Sequence, residues 1–459
     1  MSKSPSGVYS SAKPDDIQQS HSKSVTTEPN APATLDQEPI DTSKVDAQEI
    51  QYIKAMSEQL YQIGSQYSIL SQIAWEPAVK ENFFKHQCQK LPVVTYPEFK
   101  ADALFDKLQS CRKQLAGSQF DGWLKRHMDT IENTLHLLCS INTPQFIDYS
   151  KALYGYPKAY LKDEKSTSLA LANQLIKLIT PMKKMDLGEP PPACILASTV
   201  AEEMHKATAQ FGELAPRIQI VDSLSANALA GSEKVSIRRN ACFTDRDVHQ
   251  LIEHEINIHV ATLLNGKQPG NAKLLGLSHA GSTKTQEGLA IFAELITGSM
   301  DLDRFSRLAY RVSAIQMALD GADFIEVYRY FYELTQSADQ SFENTRRVFR
   351  GAPLTGGHAF TKDIVYLDGL LRVHSFLRAT VMAEKSYLIP LLFAGRMDID
   401  DLPDVVALKS IDLCQNAKYL PDWVKDRRFL FSYLSFSTFL NTVNMQQVNQ
   451  HYSDMLTKL

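Results

Sequence analysis

What this chain lacks narrows its function before any motif is read. Its six cysteines, Cys88, Cys111, Cys139, Cys194, Cys242 and Cys414, stand singly, with no Cys-x-x-Cys pair to build a zinc ribbon or a dithiol redox site. Scattered cysteines in a large chain read as buried reduced thiols, although Cys242 lies close enough to the main motif to affect it if oxidised. Charge of one sign is also missing: 48 basic against 52 acidic residues leave a net charge of −4 and no long Lys/Arg run, which argues against a nucleic-acid or anionic-membrane surface. Long apolar runs are absent too. The longest late stretch, Tyr387 to Ala394, contains Pro390 and is far too short to span a bilayer. The start carries no apolar signal core, so a soluble, cytoplasmic protein is expected. No repeat of fixed period is found.

What is present is a globular composition, 44% hydrophobic over 459 residues, enough for two or three folded units. Residues 1–44, rich in Ser, Thr, Pro and Gln, cannot bury enough surface to offset their ordering entropy and are expected to form a disordered tail. Residues 45–187 read as helical. Ile53, Met56, Leu60, Ile63 and Tyr67 recur at helical spacing, and a second helix is expected over Asp102–Leu115. Leu91 to Pro97 holds two prolines and can form only an extended connector. Gly188-Glu189-Pro190-Pro191-Pro192 marks the boundary to a second region, 188–459. There Arg217–Val221 and Lys234–Arg238 predict strands, with a turn around Ala230-Gly231, and helical periodicity returns at Phe305–Met317 and Phe324–Leu334. The expected fold is mainly α with a small β-sheet, the helical front region and the back region packing as one body with a cleft between them.

The chemistry is concentrated in His254-Glu255-x-x-x-His259, followed by Gln286-Glu287-Gly288-Leu289-Ala290. A chance His-Glu-x-x-x-His in a chain with this many histidines is about a 2% event. Thr244 is placed to cap the helix that carries it, Asp245 and Asp247 suit the helix dipole, Phe243 and Val248 have staple spacing, and Asn265-Gly266 supplies a stop. Five residues separate the histidines, which on a regular α-helix splays them by about 140°. A π-type widening between His254 and His259 restores convergence and is predicted. Two imidazoles and one carboxylate are what a catalytic zinc takes, leaving its fourth position open. Glu287 is the first candidate for the carboxylate, in the first turn of a helix started by a Thr283–Gln286 capping box, with Gly288 permitting close approach. Glu294, seven residues on, is the rival ligand and otherwise a partner for a ligating imidazole. Glu255 is the candidate general base. Glu253 reads as a surface or structural carboxylate.

With the motifs placed, the chain resembles the QEGLA-motif proteins, whose bacterial members are labelled flavohaemoglobin expression-modulating and whose animal relatives include the microtubule-associated tyrosine carboxypeptidases. The resemblance rests on the two motifs above, Leu264-Asn265 with Gln268-Pro269, Arg350-Gly351, and Phe360-Thr361-Lys362-Asp363-x-Val365-Tyr366-Leu367-Asp368-Gly369. In the front half it extends to Ile73-Ala74-Trp75, Phe83-Phe84 and Leu91-Pro92-x-x-x-Tyr96-Pro97, so it covers nearly everything after the tail. It implies a gluzincin-like zinc metallocarboxypeptidase, with His254, His259 and Glu287 holding Zn²⁺ and Glu255 catalysing, and a protein or peptide C-terminus as substrate. In the animal relatives that substrate is the C-terminal tyrosine of tubulin.

A carboxypeptidase also needs a cation for the terminal carboxylate. Arg346, Arg347, Arg350 and Lys362 flank a Gly-rich loop, with Lys362 and Arg350 the first choices; the bland alternative is a solvated helix end favoured by its dipole. For the oxyanion Tyr366 leads, with Tyr310 or His358 behind it. The competing function is a regulatory or interaction protein on the same scaffold, its metal site structural and closed by a fourth ligand such as His279.

Overall fold

A computed structural model describes residues 40–189, 194–222, 224, 227–231 and 233–458. The expected tail falls outside these residues up to 39, as does Pro190–Pro192 of the expected boundary. Thr42–Lys44, placed in the tail from sequence, instead forms a 3-10 turn, with Ile40 and Val45 packed on the core.

The front region is helical as its periodicity predicts. Helix α1 (Ala47–Gly64) is capped by Asp46 and buries Ile53, Met56, Leu60 and Ile63, whereas Tyr67 lies past its end. Helices α2 (Asp102–Lys113) and α3 (Asp121–Cys139) pack against it. In the back region, β1 (Arg217–Val221) pairs parallel with β3 (Lys234–Arg238), and β2 (Ala228–Ala230) pairs antiparallel with β3, giving the order β1-β3-β2. Where a turn was expected at Ala230, the chain therefore makes a third, short strand. Its three residues are too few for an alternation pattern, and only pairing with β3 defines it.

The long motif helix, α4, starts as an α-helix over Asp245–Leu251, widens to a π-helix over Ile252–Val260 and ends as an α-helix over Ala261–Gly266. Thr244 caps it in a reciprocal capping box with Asp247. Gly266 does not stop it by a left-handed turn. A Cβ there would sit 1.9 Å from the Leu275 carbonyl oxygen, so this glycine serves close packing. Helix α5 (Thr283–Ile296) then folds back beside α4, followed by α6 (Leu302–Leu319), a helix over Phe324–Thr335, α7 (Ala338–Phe349) and α8 (Val365–Met382).

The start of α5 departs from expectation. Ser282 precedes it without a side-chain cap bond, Thr283 Oγ1 donates to the His279 carbonyl, and Gln286 Oε1 accepts from Thr262 Oγ1 at 2.8 Å. The Thr283–Gln286 capping box is therefore not formed, and Glu287 lies in the second turn. A tertiary partner on α4 outcompetes the local one.

Helices α5 and α8 meet backbone to backbone. A Cβ on Gly288 would lie 2.3 Å from the Gly369 carbonyl oxygen, and one on Gly369 would lie 2.3 Å from that of Lys284. Gly288→Ala is expected to lower stability by about 2–3 kcal/mol, because only movement of two helix backbones relieves the overlap; chemical denaturation measures it, and an unchanged midpoint contradicts the close crossing.

Two apolar clusters each draw on both regions. One joins Ile53, Leu60, Leu108 and Trp123 to Ile258, Leu289, Phe393 and Leu434; the other joins Ile73, Trp75, Phe83 and Phe146 to Tyr310, Phe324, Phe349 and Phe360. The front and back regions thus share these two cores, while a third, including Val200, Ile237 and Ile256, lies within the back region. The reading of all six cysteines as reduced thiols is corrected: Cys194 and Cys242 are joined in a disulfide, and of the free cysteines only Cys111 and Cys414 are buried. An antiparallel bridge between Ile195 and Phe243 brings the two partners together across 48 residues of sequence, which spacing alone does not reveal. Among the described residues no helix is long and apolar enough to cross a membrane.

Candidate active site

The widened stretch of α4 sets the site. Its i→i+5 bonding, seen where the Ala261 amide donates to the Ile256 carbonyl, gives each turn an extra residue, so side chains five apart face the same way. The rings of His254 and His259 accordingly lie 4.8 Å apart, nearly perpendicular. From α5, Glu287 Oε2 reaches to 3.5 Å from His254 Nε2 and 3.6 Å from His259 Nε2. Among the described residues these three form the group able to hold a metal ion. Ligand atoms about 2.0–2.1 Å from a tetrahedral zinc lie about 3.3–3.4 Å from one another, close to the two carboxylate–imidazole separations. They are too long for hydrogen bonds, and Glu287 Oε2 is buried with no partner. A buried carboxylate oxygen without a hydrogen-bond donor, set beside two imidazole nitrogens, is a donor set that fits a cation.

Two of the three, His254 and Glu287, are held from behind. His254 Nδ1 lies 2.7 Å from Glu294 Oε1, leaving Nε2 turned to the site. Glu294 is fully buried and also accepts from Gln250 Nε2 and from both Nε and Nη2 of Arg304, at 2.8–2.9 Å. Burial alone would raise its pKa, but Arg304 and His254 hold it down to about 2. Burial likewise opposes charge on His254, yet Glu287 and Glu294 raise its pKa to about 10, a measure of how strongly the surrounding carboxylates favour positive charge. His259 lacks such support. Its Nδ1 is buried without a partner, and burial lowers its pKa. Glu287 Oε1 accepts from Lys362 Nζ at 2.9 Å. Against the burial that would raise it, Lys362 and the two histidines hold Glu287 well below the carboxylate range. Glu255, on the same π stretch, is buried and accepts from the Ala230 amide at 2.9 Å, which ties it to strand β2.

These side chains open into a cleft of about 570 Å³ whose walls come from both regions: Tyr67, Trp75, Thr134 and Tyr154 from the front, Arg350 and Arg396 from the back. The basic cluster is not a solvated helix end. Lys362 is engaged by Glu287, Arg346 by Glu343, and Arg347 by both oxygens of Asp363 at 2.6 and 2.8 Å. Arg347 Nη2 also donates to the Tyr366 hydroxyl at 3.2 Å. Arg350 alone of the four makes no ion pair among the described residues; it is 6% exposed, its Nε has no partner, and its guanidinium lies over the Phe360 ring. Burial pulls its pKa down to about 10, which leaves it charged at neutral pH.

Tyr366 lines the cleft, whereas Tyr310 and His358 do not. His279 lines it too, with both ring nitrogens unpartnered, but it lies outside the three-residue group and packs against the His127 ring. Arg396 is a charged cleft residue that sequence reasoning missed. Its Nη2 donates to the His259 carbonyl at 2.9 Å and its Nε is free. Its local signal is a charged residue just past the apolar run Tyr387 to Ala394.

Fold and cleft together define a mainly helical protein with the buried, convergent polar groups of an enzyme active site. The family model for microtubule-associated tyrosine carboxypeptidases matches residues 81–442, and the chain belongs to that family. Membership brings a carboxypeptidase-like function. Comparison with curated proteins gave no match.

Proposed function

We propose that the protein is a zinc-dependent metallocarboxypeptidase that hydrolyses the last peptide bond of a protein or peptide. The observation that carries the proposal is the buried Oε2 of Glu287, without a hydrogen-bond partner and nearly equidistant, at 3.5 and 3.6 Å, from two imidazole Nε2 atoms. His254, His259 and Glu287 would hold the ion, the ligand set of the gluzincins with one extra residue between the histidines accommodated by the π stretch. When bound, zinc supplies Lewis acidity that brings a water's pKa toward neutrality and polarises a carbonyl.

The chain's own residues do the rest. Glu255 takes the proton of the attacking water and passes it to the leaving amine, its carboxylate oriented by the Ala230 amide. Tyr366, its hydroxyl held by Arg347, donates to the developing oxyanion. Lys362 holds Glu287 ionised and Glu294 fixes the His254 ring, so both act on ligand geometry. Arg350, the member of the basic cluster without an ion-pair partner among the described residues, takes the free terminal carboxylate. The three-residue set, with His279 outside it, supports an open fourth position over the closed site that a purely structural metal would have.

Metal analysis of the purified protein, together with digestion of a peptide library with free C-termini, tests this reading. One zinc per chain and release of single C-terminal residues are expected; a metal-free, inactive protein would instead support the regulatory alternative. Arg350→Ala is expected to lower kcat/KM for free-acid peptides about 100-fold and to leave the already poor amidated peptides nearly unchanged. Equal losses on both would assign the guanidinium a structural role.

A further inference from the structure

The extended connector from Leu91 to Pro97 has no regular structure, yet it delivers one phenol against Trp75, which lines the cleft, and the turn after Arg350. The Tyr96 hydroxyl accepts from Trp75 Nε1 at 2.7 Å and from the Gly351 amide at 2.9 Å. Gly351 is the residue after Arg350. Its φ of +82° suits glycine, and a Cβ there would press to 2.6 Å from the Phe146 ring and 2.9 Å from Ile73. Its carbonyl accepts from the Asn142 amide at 2.8 Å, while the Arg350 amide is bound to the Arg346 carbonyl at the end of α7. The Arg350 backbone is thus fixed on one side by its own helix and on the other by four residues of the front region. Because no carboxylate among the described residues pairs with the guanidinium, backbone placement and the Phe360 ring set its direction.

We propose that Tyr96 is a positioning residue for Arg350: its hydroxyl pins the Gly351 amide and so aims the guanidinium that selects a free C-terminal carboxylate. The inference rests on the reading of Arg350 given above. It assigns the front region a part in substrate selection that its distance in sequence from the metal motif conceals. Replacing Tyr96 by phenylalanine keeps the ring and leaves the Gly351 and Trp75 donors without an acceptor, which loosens the turn without removing any group that touches substrate.

The test uses the zinc-loaded full chain and one peptide prepared as free acid and as amide, with Tyr96→Phe, Arg350→Ala and the double variant assayed well below their melting temperatures. Tyr96→Phe is expected to raise KM for the free acid about tenfold, to change kcat much less and to shrink the acid-over-amide preference by a similar factor. In the Arg350→Ala background it should add no further loss of preference, the signature of two residues acting through one contact. Hydrogen–deuterium exchange should quicken in residues 346–352, a readout independent of activity. An unchanged preference in Tyr96→Phe, or the same loss in the Arg350→Ala background, overturns the proposal. If Arg350→Ala itself keeps the preference, the carboxylate reading and this inference fall together; if it loses the preference while Tyr96→Phe does not, only the role of Tyr96 falls.

Discussion

Glu255→Gln is expected to lower turnover about 10³- to 10⁴-fold while the protein keeps its full complement of zinc. The amide has nearly the shape of the carboxylate, and its oxygen still accepts from the Ala230 amide, so strand β2 and the π stretch keep their relation. What disappears is the capacity to take a proton, and general acid–base catalysis is worth about 10²–10⁴ in rate. Because the attacking water and the leaving amine both depend on the same oxygen pair, the loss belongs at the upper end of that range. Elemental analysis and steady-state kinetics on one preparation separate the outcomes. Retained turnover removes Glu255 from the base role, and lost metal would make it a ligand.

The second large effect is expected for Glu287→Gln, compared with Glu294→Gln. The first change takes away the only anionic member of the three-residue group and leaves Lys362, an 11% exposed cation, without its partner. Zinc should be lost on dialysis, activity should fall to background, and stability should drop by about 3 kcal/mol from the stranded charge. Glu294→Gln removes no ligand. It weakens the grip on the His254 ring, for which about 10- to 100-fold in metal affinity is expected, with measurable activity at saturating zinc. The reverse order of severity would identify Glu294 as the carboxylate ligand and Glu287 as its support.

Much of this arrangement could be read along the chain because it is encoded locally. Thr244 and Asp247 signal a helix start by contacts three residues apart, and the strands at 217–221 and 234–238 follow from β-branched runs. The five-residue spacing of His254 and His259 demanded a widened turn, and a nine-residue π stretch is what the structure contains. The departures share a different cause. Gln286 was read against its neighbour Thr283, yet its oxygen is taken by Thr262 on another helix. Lys362 and Arg347 looked available for substrate until Glu287 and Asp363, distant in sequence, were seen to hold them. Arg396 carries no motif at all. Its place in the cleft depends on the chain returning past His259, just as the Cys194–Cys242 link depends on a bridge between two segments 48 residues apart. Local periodicity reports which face of an element is apolar, but not which remote charge arrives there.

The apolar clusters shared by the front and back regions bear on how such a protein can be cut or recombined. Genetic fission near residue 188 would expose both faces of each cluster at once, so neither fragment would inherit a complete interior, and co-expressed halves would have to fold on one another. Chimeras face the same coupling: transplanting the first 187 residues from a homologue imports a new wall for the cleft together with part of the packing of both shared cores. Altered preference and altered solubility should therefore arrive as linked traits, separable only by exchanging individual wall residues such as Thr134 or Tyr67.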